Sequence, residues 1–260
     1  MGVCHQPASE ARIVSLVPSL TELLFDLGLE HHVVGRTAYC VHPAGRVRKL
    51  RSVGGTKTIR LEKLRQLQPT HILVNIDETP QPLAQQLQDE GWTVVVTHPI
   101  EVSDNLALYR LLGGIFGRET EAEDLCQRFE TAQARLRQIP SGRPPQPVLY
   151  LIWKNPWMTV ARDTYISRML AQAGLLTLPE AAERRYPMVE LDEPLLATCE
   201  YVLFATEPFP FEDRHLDQFR VRRPAHAGKA RLIDGQMVSW YGSRAIAGLD
   251  YLADFVTKNR

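Results

Sequence analysis

Short apolar segments alternate with stretches of helical periodicity along the whole chain. The apolar segments fall at residues 13–17, 33–35, 71–76 and 92–97 in the first half, and at 148–153, 201–205 and 231–233 in the second. Because these runs are almost wholly apolar, they are typical of strands that are buried on both faces of a mostly parallel sheet. The alternation of such strands with helices predicts an α/β fold in each half.

Residues 11–28 illustrate how one predicted strand passes into a helix. The apolar run stops at Pro18, and Ser19 with Glu22 has the spacing of a capping box, while Gly28 marks the expected helix end. Such a tight turn places the positive end of a helix at the carboxyl edge of a sheet, where open α/β sheets hold ligands. The Ser19 helix end could face an anionic group. An ordinary strand-to-helix connection is the simpler explanation, and both stay open here.

A long helix is predicted between the halves. Thr120 and Glu123 have capping-box spacing, and no Pro or Gly pair interrupts residues 120–138, so little bending is expected. The apolar positions that follow helical spacing are Ala122, Leu125, Cys126, Phe129, Ala132, Leu136 and Ile139. We therefore predict an N-terminal lobe at residues 1–118, a bridging helix at 119–139 and a C-terminal lobe at 140–260, with a cleft between the lobes.

Composition narrows the functional classes. The 260 residues include 30 basic and 30 acidic side chains, and the pI is near 7.1, so nothing indicates a nucleic-acid surface or a basic membrane patch. No apolar run is long enough to span a bilayer. Residues 1–10 lack the features of a secretion signal, so we expect a cytoplasmic chain as written, or a periplasmic one if a leader was removed. The four cysteines form no disulfide or zinc pattern, and a monomer is expected.

Aromatic residues gather at the predicted strand ends and in the loops that follow them. These residues are Tyr39, Trp153, Trp157, Tyr186, Phe209, Phe211, Trp240 and Tyr241. Any single aromatic residue is more often part of a core than of a binding site. Several on loops suit a large flat or conjugated ligand, because rings stack over a wide area at little cost in entropy.

Polar candidates accompany the aromatic residues. Lys57 follows a Gly-Gly pair that would let the backbone approach a ligand, and Glu207 follows a predicted strand. Arg244 could bind an anionic group, or it could form a structural ion pair, and both readings stay open. Cys40 and His42 are potential soft-metal ligands, but two residues are too few for a site, so no metal centre is predicted.

Catalytic templates do not match the chain. It contains no GxSxG, no HExxH, no P-loop and no GxGxxG after a strand. We therefore expect a binding protein that is not an enzyme and has no intrinsic cofactor. Its ligand itself could be a metal chelate.

Several motifs, in order along the chain, resemble the helical-backbone class of ABC-transporter substrate-binding proteins. They are RIVSLVPSLTELLFDLGL, VVGRTAYCVHP, VGGTK, LEKLRQLQPTHILVN and SWYGSR, and the resemblance spans residues 11–258. It implies two α/β lobes, a long connecting helix and a ligand held between the lobes.

The resemblance also implies roles for individual residues. Tyr39 falls at a ligand-stacking tyrosine of the family, Trp157 lies close to a cleft aromatic residue, and Tyr186 replaces a cleft tryptophan. Trp240, Tyr241 and Arg244 match a Trp-Phe pair and a nearby Arg. Glu62 and Asp192 fall at the two acidic positions that dock to the membrane permease. The chain departs from the family near Thr56, where a tryptophan is absent, and at Cys40 and His42.

The function implied is capture of a bulky metal-chelate ligand, with a corrinoid such as cobalamin first. The predicted ligand-binding residues are Tyr39, Cys40, His42, Lys57, Trp153, Trp157, Tyr186, Glu207, Trp240, Tyr241 and Arg244. A siderophore or haem is the alternative ligand within the class, and an ABC permease is the implied partner. The alternative from another class is a cytoplasmic enzyme or chaperone for a tetrapyrrole or metal, with Cys40 and His42 as ligands.

Overall fold

The computed structural model describes residues 4–56, 58–139 and 144–259. The strands are β1 Ile13–Ser15, β2 Val33–Arg36, β3 Arg51–Ser52, β4 His71–Asn75, β5 Thr93–Thr97, β6 Gln146–Leu151, β7 Leu175–Thr177, β8 Tyr201–Ala205 and β9 Ala230–Ile233. The helices are α1 Pro18–Asp26, α2 Leu61–Gln66, α3 Gln81–Asp89, α4 Asp104–Phe116, α5 Glu119–Arg137, α6 Tyr165–Ala171, α7 Glu193–Thr198, α8 Asp213–Arg222, α9 Gly235–Ser239 and α10 Arg244–Lys258. Short 3-10 helices lie at Glu30–His32, Val47–Lys49 and Pro224–Lys229.

The chain divides into two compact units, each built from more than one segment. The first unit comprises Met1–Pro99, Ser103–Phe129 and Tyr241–Arg244. The second unit comprises Ile100–Val102, Glu130–Trp240 and Ala245–Arg260. Each unit contains one parallel sheet with helices, so the predicted α/β fold class is confirmed. The contiguous division at residues 118 and 140 stays a prediction.

The sheet of the first unit has the strand order β3-β2-β1-β4-β5, and all of its pairings are parallel. Val14, Ile72 and Val94 are buried in one apolar cluster on this sheet. Gly35 in β2 packs closely against the core, because a Cβ atom there would lie 2.5 Å from Leu67 Cδ1 and would displace that side chain. Since parallel strands need helical crossovers, the helices cover the faces and leave the carboxyl ends of the strands open for loops.

The sheet of the second unit has the order β7-β6-β8-β9, again with parallel pairings. Its core contains Leu149, Val202 and Phe204, each with no exposed surface. The strand predicted at residues 148–153 begins earlier and ends earlier, at Gln146–Leu151. Trp153 therefore lies beyond the strand, in the segment that leaves the carboxyl edge of the sheet.

Helix α5 has the predicted helical periodicity. Ala122, Leu125, Phe129, Ala132 and Leu136 are all at most 4% exposed, so the apolar stripe faces packed protein. Acidic residues occupy its first turn and basic residues its last, which complements the helix dipole. The boundary between the two units falls inside this helix, after Phe129.

Both predicted capping boxes are wrong. Helix α1 begins at Pro18 with Val17 as its N-cap, because Pro is well suited to the first position of a helix, and Ser19 therefore lies inside the helix. Helix α5 begins at Glu119, and the carboxylate of Glu123 accepts hydrogen bonds from the Arg110 guanidinium instead of the helix start. In α1, the second residue of the predicted box, Glu22, is likewise bound to an arginine, Arg244.

No helix in the described part of the chain combines the length and the apolarity that are needed to cross a membrane.

Replacing Phe129 with alanine should lower the free energy of unfolding by about 3–5 kcal/mol, because removal of a buried ring leaves a cavity. The Phe129 ring is fully buried and packs edge-on against Tyr109, with ring centroids 6.3 Å apart. Urea denaturation followed by circular dichroism measures the change. The exposed neighbour Glu130 provides the control, and Glu130→Ala should change the unfolding free energy by less than about 0.5 kcal/mol. Equal effects of the two substitutions would contradict the buried placement of Phe129.

Candidate functional site

The carboxyl edge of the first sheet carries exposed apolar side chains. Tyr39 and Val41 follow β2 and are 62% and 43% exposed, and Ile76 follows β4 and is 48% exposed. Large apolar side chains with this much exposure occur at few positions in the described chain, and three of them follow strands of one sheet edge. Surfaces of this kind mark places where a ligand or partner covers protein. The structure thus places Tyr39 in the loop just after β2, at a strand end as predicted.

Cys40 anchors the loop that displays Tyr39. Its side chain is 1% exposed, Thr21 Oγ1 donates to Cys40 Sγ at 3.1 Å, and Thr37 Oγ1 lies 3.2 Å from the same sulfur. Burial raises the pKa of Cys40, and the two threonine hydroxyls only partly offset that rise. The group is a neutral buried thiol, so its position gives no support to a ligand-binding role.

His42 is half-buried two residues further along this loop. Among the described residues, no group of three or more His, Cys, Asp or Glu side chains has the arrangement to hold a metal ion. The suggested pairing of Cys40 with His42 as metal ligands therefore lacks a third ligand within the described part of the chain.

Arg244 forms an ion pair with Glu22 inside the first unit. The Arg244 Nε–Glu22 Oε2 distance is 2.7 Å and the Nη2–Oε1 distance is 2.5 Å, and the two side chains are only 11% and 15% exposed. The bidentate geometry matches the guanidinium fork to both carboxylate oxygens. Of the two alternatives kept for Arg244, the structural ion pair is the one observed. Glu22 was missed as its partner because the two residues are far apart in sequence.

The loop that contains Tyr241 and Gly242 is held against the first unit by buried groups. Tyr109 donates its hydroxyl hydrogen to Gly242 O at 2.9 Å, and Gly242 N donates to Asn105 Oδ1 at 2.6 Å. Gly242 has a φ of 79°, a conformation that favours glycine. Tyr241 is 7% exposed and its hydroxyl donates to Glu78 Oε1 at 3.1 Å. Burial first, and then the negative charge of Glu78, raises the pKa of Tyr241.

Carboxylates lie just beyond β4 on the same edge. Asn75 Oδ1 accepts a hydrogen bond from the Asp77 backbone N–H at 2.8 Å, which fixes the turn that carries Asp77 and Glu78. His98 Nε2, just after β5, lies 3.5 Å from Asp77 Oδ1. Sequence analysis missed these groups, although acidic residues directly after a buried strand were the signal that could have identified them.

The second unit also exposes apolar side chains beyond its strands. Trp153 follows β6 and is 41% exposed, Tyr186 is 37% exposed and Met188 is 63% exposed. Isolated antiparallel bridges join Trp153 to Met158 and Met158 to Met188, so two of these residues are linked by short backbone pairings. The Trp153 ring contacts Phe209 edge-on, with centroids 5.6 Å apart, which supports the indole while leaving much of it accessible.

Trp157 is attached to the core of the second unit. Its ring lies nearly parallel to Phe211, at 8° and with centroids 6.1 Å apart, and meets Phe204 edge-on. The Lys154 ammonium group lies 6.0 Å from the centroid of the indole ring. Much of the Trp157 ring therefore packs against protein, and its predicted contact with ligand stays a prediction.

Glu207 is bound to Trp240 in the second unit. Trp240 Nε1 donates to Glu207 Oε1 at 2.6 Å, and Ser239 Oγ donates to the same oxygen at 3.1 Å. The Trp240 side chain is 8% exposed. Sequence analysis named both residues as independent ligand groups, and it did not identify the hydrogen bond between them.

The predicted docking acids have different surroundings. Glu62 is exposed in the first turn of α2, whereas Asp192 is the N-cap of α7 and its carboxylate accepts a hydrogen bond from Leu195 N at 3.0 Å. Asp192 thus has a structural role in addition to its exposure. Lys57 lies outside the described residues.

The model of the family described as periplasmic binding protein matches residues 13–224. The chain belongs to the periplasmic binding protein family. Members of this family are substrate-binding proteins of transporters, and the chain is an ABC-type substrate-binding protein. The resemblance found in its motifs is thereby confirmed.

Known relatives agree with this assignment. The vitamin B12-binding protein of Photorhabdus laumondii is 24% identical over 198 residues, which cover 76% of this chain and 72% of the relative. The structure of the periplasmic vitamin B12 binding protein BtuF of Vibrio cholerae matches with a TM-score of 0.80 at 18% identity and covers 96% of this chain and 98% of that one. The periplasmic haem-binding protein of Roseiflexus sp. RS-1 matches with a TM-score of 0.78 at 22% identity, covering 94% and 97%.

Breaking the Arg244–Glu22 pair from one side should be costly. Glu22→Leu should lower the free energy of unfolding by about 3–5 kcal/mol, because it leaves the largely buried Arg244 charge without its carboxylate. The double variant Glu22→Leu/Arg244→Met should lose less than the sum of the two single variants. Urea denaturation measures all three.

The matched control for this pair is Arg110–Glu123, whose side chains are 52% and 51% exposed. Glu123→Leu should cost no more than about 1 kcal/mol, because exposed pairs contribute little. A comparable loss for both pairs, or strict additivity at Glu22 and Arg244, would count against the structural role assigned to the buried pair.

Alkylation should separate the four thiols. In the native protein, iodoacetamide should modify the exposed Cys4 first and leave Cys40, Cys126 and Cys199 largely unmodified, because the thiolate is the reacting form. Burial raises the pKa of Cys199 to about 11 and also raises that of Cys40, so both should stay protonated at pH values where Cys4 reacts. Peptide mass spectrometry measures the labelling, with urea-unfolded protein as the control. Labelling of Cys40 as fast as Cys4 would refute its burial.

Proposed function

We propose that this substrate-binding protein captures a corrinoid, with cobalamin as the first candidate, and delivers it to an ABC permease. The observation that carries the proposal is the set of exposed aromatic and apolar side chains beyond the strands of both units: Tyr39, Val41 and Ile76 in the first, and Trp153, Tyr186 and Met188 in the second. Exposed large apolar side chains at the edge of a sheet often mark a surface that a ligand covers. A corrin macrocycle offers a large area for them to contact.

The charges favour a corrinoid over haem. Haem carries two carboxylates that need cationic partners, and the arginine expected to serve as an anchor, Arg244, is bound bidentately to Glu22. Near the first sheet edge, Glu78 accepts a hydrogen bond from Tyr241 and Asp77 lies 3.5 Å from His98, so the acidic side chains of this edge carry negative charge. The peripheral amide groups of a corrinoid are uncharged and are not repelled by these carboxylates, whereas the haem carboxylates would be. The vitamin B12-binding relative from Photorhabdus laumondii supports the same choice.

The residues proposed to contact the ligand are those with accessible surface at these edges. Tyr39 and Trp153 supply the widest exposed rings, and Tyr186 adds a third. Trp240 is only 8% exposed, and we include it because its position matches the family motif. Arg244 and Cys40 are excluded from this set, since their polar atoms are engaged within the first unit.

Delivery requires a surface that the permease recognises. Glu62 and Asp192 are exposed carboxylates, one in each unit, and we propose that they bind basic groups of a permease. Exposed charge pairs of this type contribute more to the rate and specificity of association than to its affinity. The place of action, cytoplasmic or periplasmic, stays a prediction.

Titration with cyanocobalamin and, separately, with hemin tests the proposal. Cyanocobalamin should quench tryptophan fluorescence and co-elute with the protein in gel filtration, and hemin should bind more weakly. Tyr39→Ala and Trp153→Ala should each weaken cyanocobalamin binding by about 10- to 30-fold, because aromatic contacts at a binding surface contribute about 2 kcal/mol. Val221→Ala is the control, since Val221 is an 81% exposed apolar residue of α8.

The outcomes separate the candidates. Tighter binding of hemin than of cyanocobalamin would replace the corrinoid by haem as the ligand. Absence of binding for both would remove the proposal for this whole ligand class, and unchanged affinity in Tyr39→Ala and Trp153→Ala would reject these edges as the contact surfaces.

A further inference from the structure

We propose that Glu207 is a positioning residue, which sets the orientation of Trp240 for ligand contact and does not itself bind the ligand. The inference rests on the proposed function, in which Trp240 contacts the ligand. It concerns how one indole ring of the second unit is placed, and which residue determines ligand affinity through it.

The first support is that the Glu207 carboxylate is bound to Trp240 and Ser239. Glu207 Oε1 accepts hydrogen bonds from Trp240 Nε1 at 2.6 Å and from Ser239 Oγ at 3.1 Å. A hydrogen bond from a neutral donor to a charged acceptor is stronger than one between neutral groups. Because an indole has only one N–H, this bond removes the single polar group of Trp240 from any contact with a ligand. Only the carbon surface of the ring remains for that contact.

The second support is the rigid attachment of α9, which ends beside Trp240. Asp234 Oδ1 accepts hydrogen bonds from Gln236 N at 2.9 Å and Met237 N at 3.3 Å, which caps the helix. Gly235 N donates to Thr206 Oγ1 at 2.9 Å, so the helix start is tied to the residue just before Glu207. The backbone on both sides of the Glu207–Trp240 bond is therefore held by other contacts.

The third support is the close approach of Gly235 to Glu207. A Cβ atom on Gly235 would lie 2.6 Å from Glu207 Cγ and 2.8 Å from Glu207 N. Only glycine leaves room for the glutamate side chain to follow its path toward Trp240. Gly235 thus leaves the space through which the Glu207 side chain reaches Trp240.

The Glu207 carboxylate does not form a hydrogen bond with the Tyr150 hydroxyl. The Tyr150 phenol is fully buried, and its pKa is raised by burial first and then by the charges of Glu207 and neighbouring groups, so it stays protonated. Within the described residues the Tyr150 hydroxyl has no hydrogen-bond partner, although the Glu207 charge contributes to its raised pKa. The hydrogen bonds that Glu207 Oε1 accepts come from Trp240 and Ser239 instead.

A double-mutant cycle in the full chain tests the inference, with cyanocobalamin as the probe. Glu207→Leu should weaken binding by about tenfold or more in the wild-type background, because the indole loses its charged acceptor. In the Trp240→Phe background, the same substitution should change affinity by less than about twofold, since the residue through which Glu207 acts is gone. Glu207→Gln, which keeps an oxygen acceptor, should stay within about threefold of wild type.

A ligand-free measurement runs in parallel. The contribution of Trp240 to fluorescence is the difference between a protein with Trp240 and its Trp240→Phe counterpart. In Glu207→Leu this contribution should become more accessible to acrylamide quenching, because the ring is no longer held. Glu200→Gln, an exposed carboxylate of the same unit, is the control and should change neither readout. Thermal unfolding of each variant identifies a loss of fold.

Equal losses from Glu207→Leu in both backgrounds would overturn the inference, because they would mean direct contact with the ligand. A loss with Glu207→Gln as large as with Glu207→Leu, and undiminished in the Trp240→Phe background, would also overturn it, by making the charge itself the binding group. If Glu207→Leu does not fold, Glu207→Met, which is unbranched and has no carboxylate, takes its place and should show the same tenfold loss; wild-type affinity would overturn the inference. Should wild type bind no cyanocobalamin, the proposed function fails, and the quenching measurement alone decides whether Glu207 positions Trp240.

Discussion

The burial of two parallel sheets is the constraint on which the rest of this structure depends. A parallel sheet needs a crossover after every strand, and the crossover helices cover both of its faces. Val14, Ile72, Leu149 and Val202 consequently have no exposed surface. Exposed side chains that could contact a ligand are therefore found in the loops beyond the strands. Tyr39 lies in such a loop of the first unit and Trp153 in one of the second.

The charged residues near these loops are mostly used within the protein. Arg244 is bound to Glu22, Glu207 to Trp240 and Ser239, and Asp192 to the start of α7. Each of these contacts orders a loop or a helix end. It also occupies a charged group that could otherwise have bound a ligand. Exposed aromatic side chains such as Tyr39 and Trp153 lie beyond the strands of the two sheets, which suits a binding protein that recognises a ligand mainly by contact area and shape.

This distribution fits a transport protein better than a catalyst. A substrate-binding protein must hold its ligand and later release it, so accessible rings supported by fixed neighbours are an appropriate design. Trp153, supported by Phe209, and Trp240, held by Glu207, represent two ways to fix an aromatic ring. One uses packing between rings, and the other uses a charged hydrogen bond.

The sequence by itself determined the α/β class, the positions of most strands and the buried stripe of α5, because these depend on the spacing of apolar residues near one another in the chain. It also placed Tyr39 in a loop after a strand, whereas it predicted Trp153 as the last residue of a strand that ends at Leu151 in the structure. It did not predict that Cys40 would be buried between Thr21 and Thr37, or that Glu22 and Glu123 would leave their expected capping positions for arginines. Only the tertiary structure decided which charges would meet, since Arg244 and Glu22 are 222 residues apart, and Tyr241 and Glu78 are 163 apart. Local patterns carry no information about partners at such distances, and packing selects them.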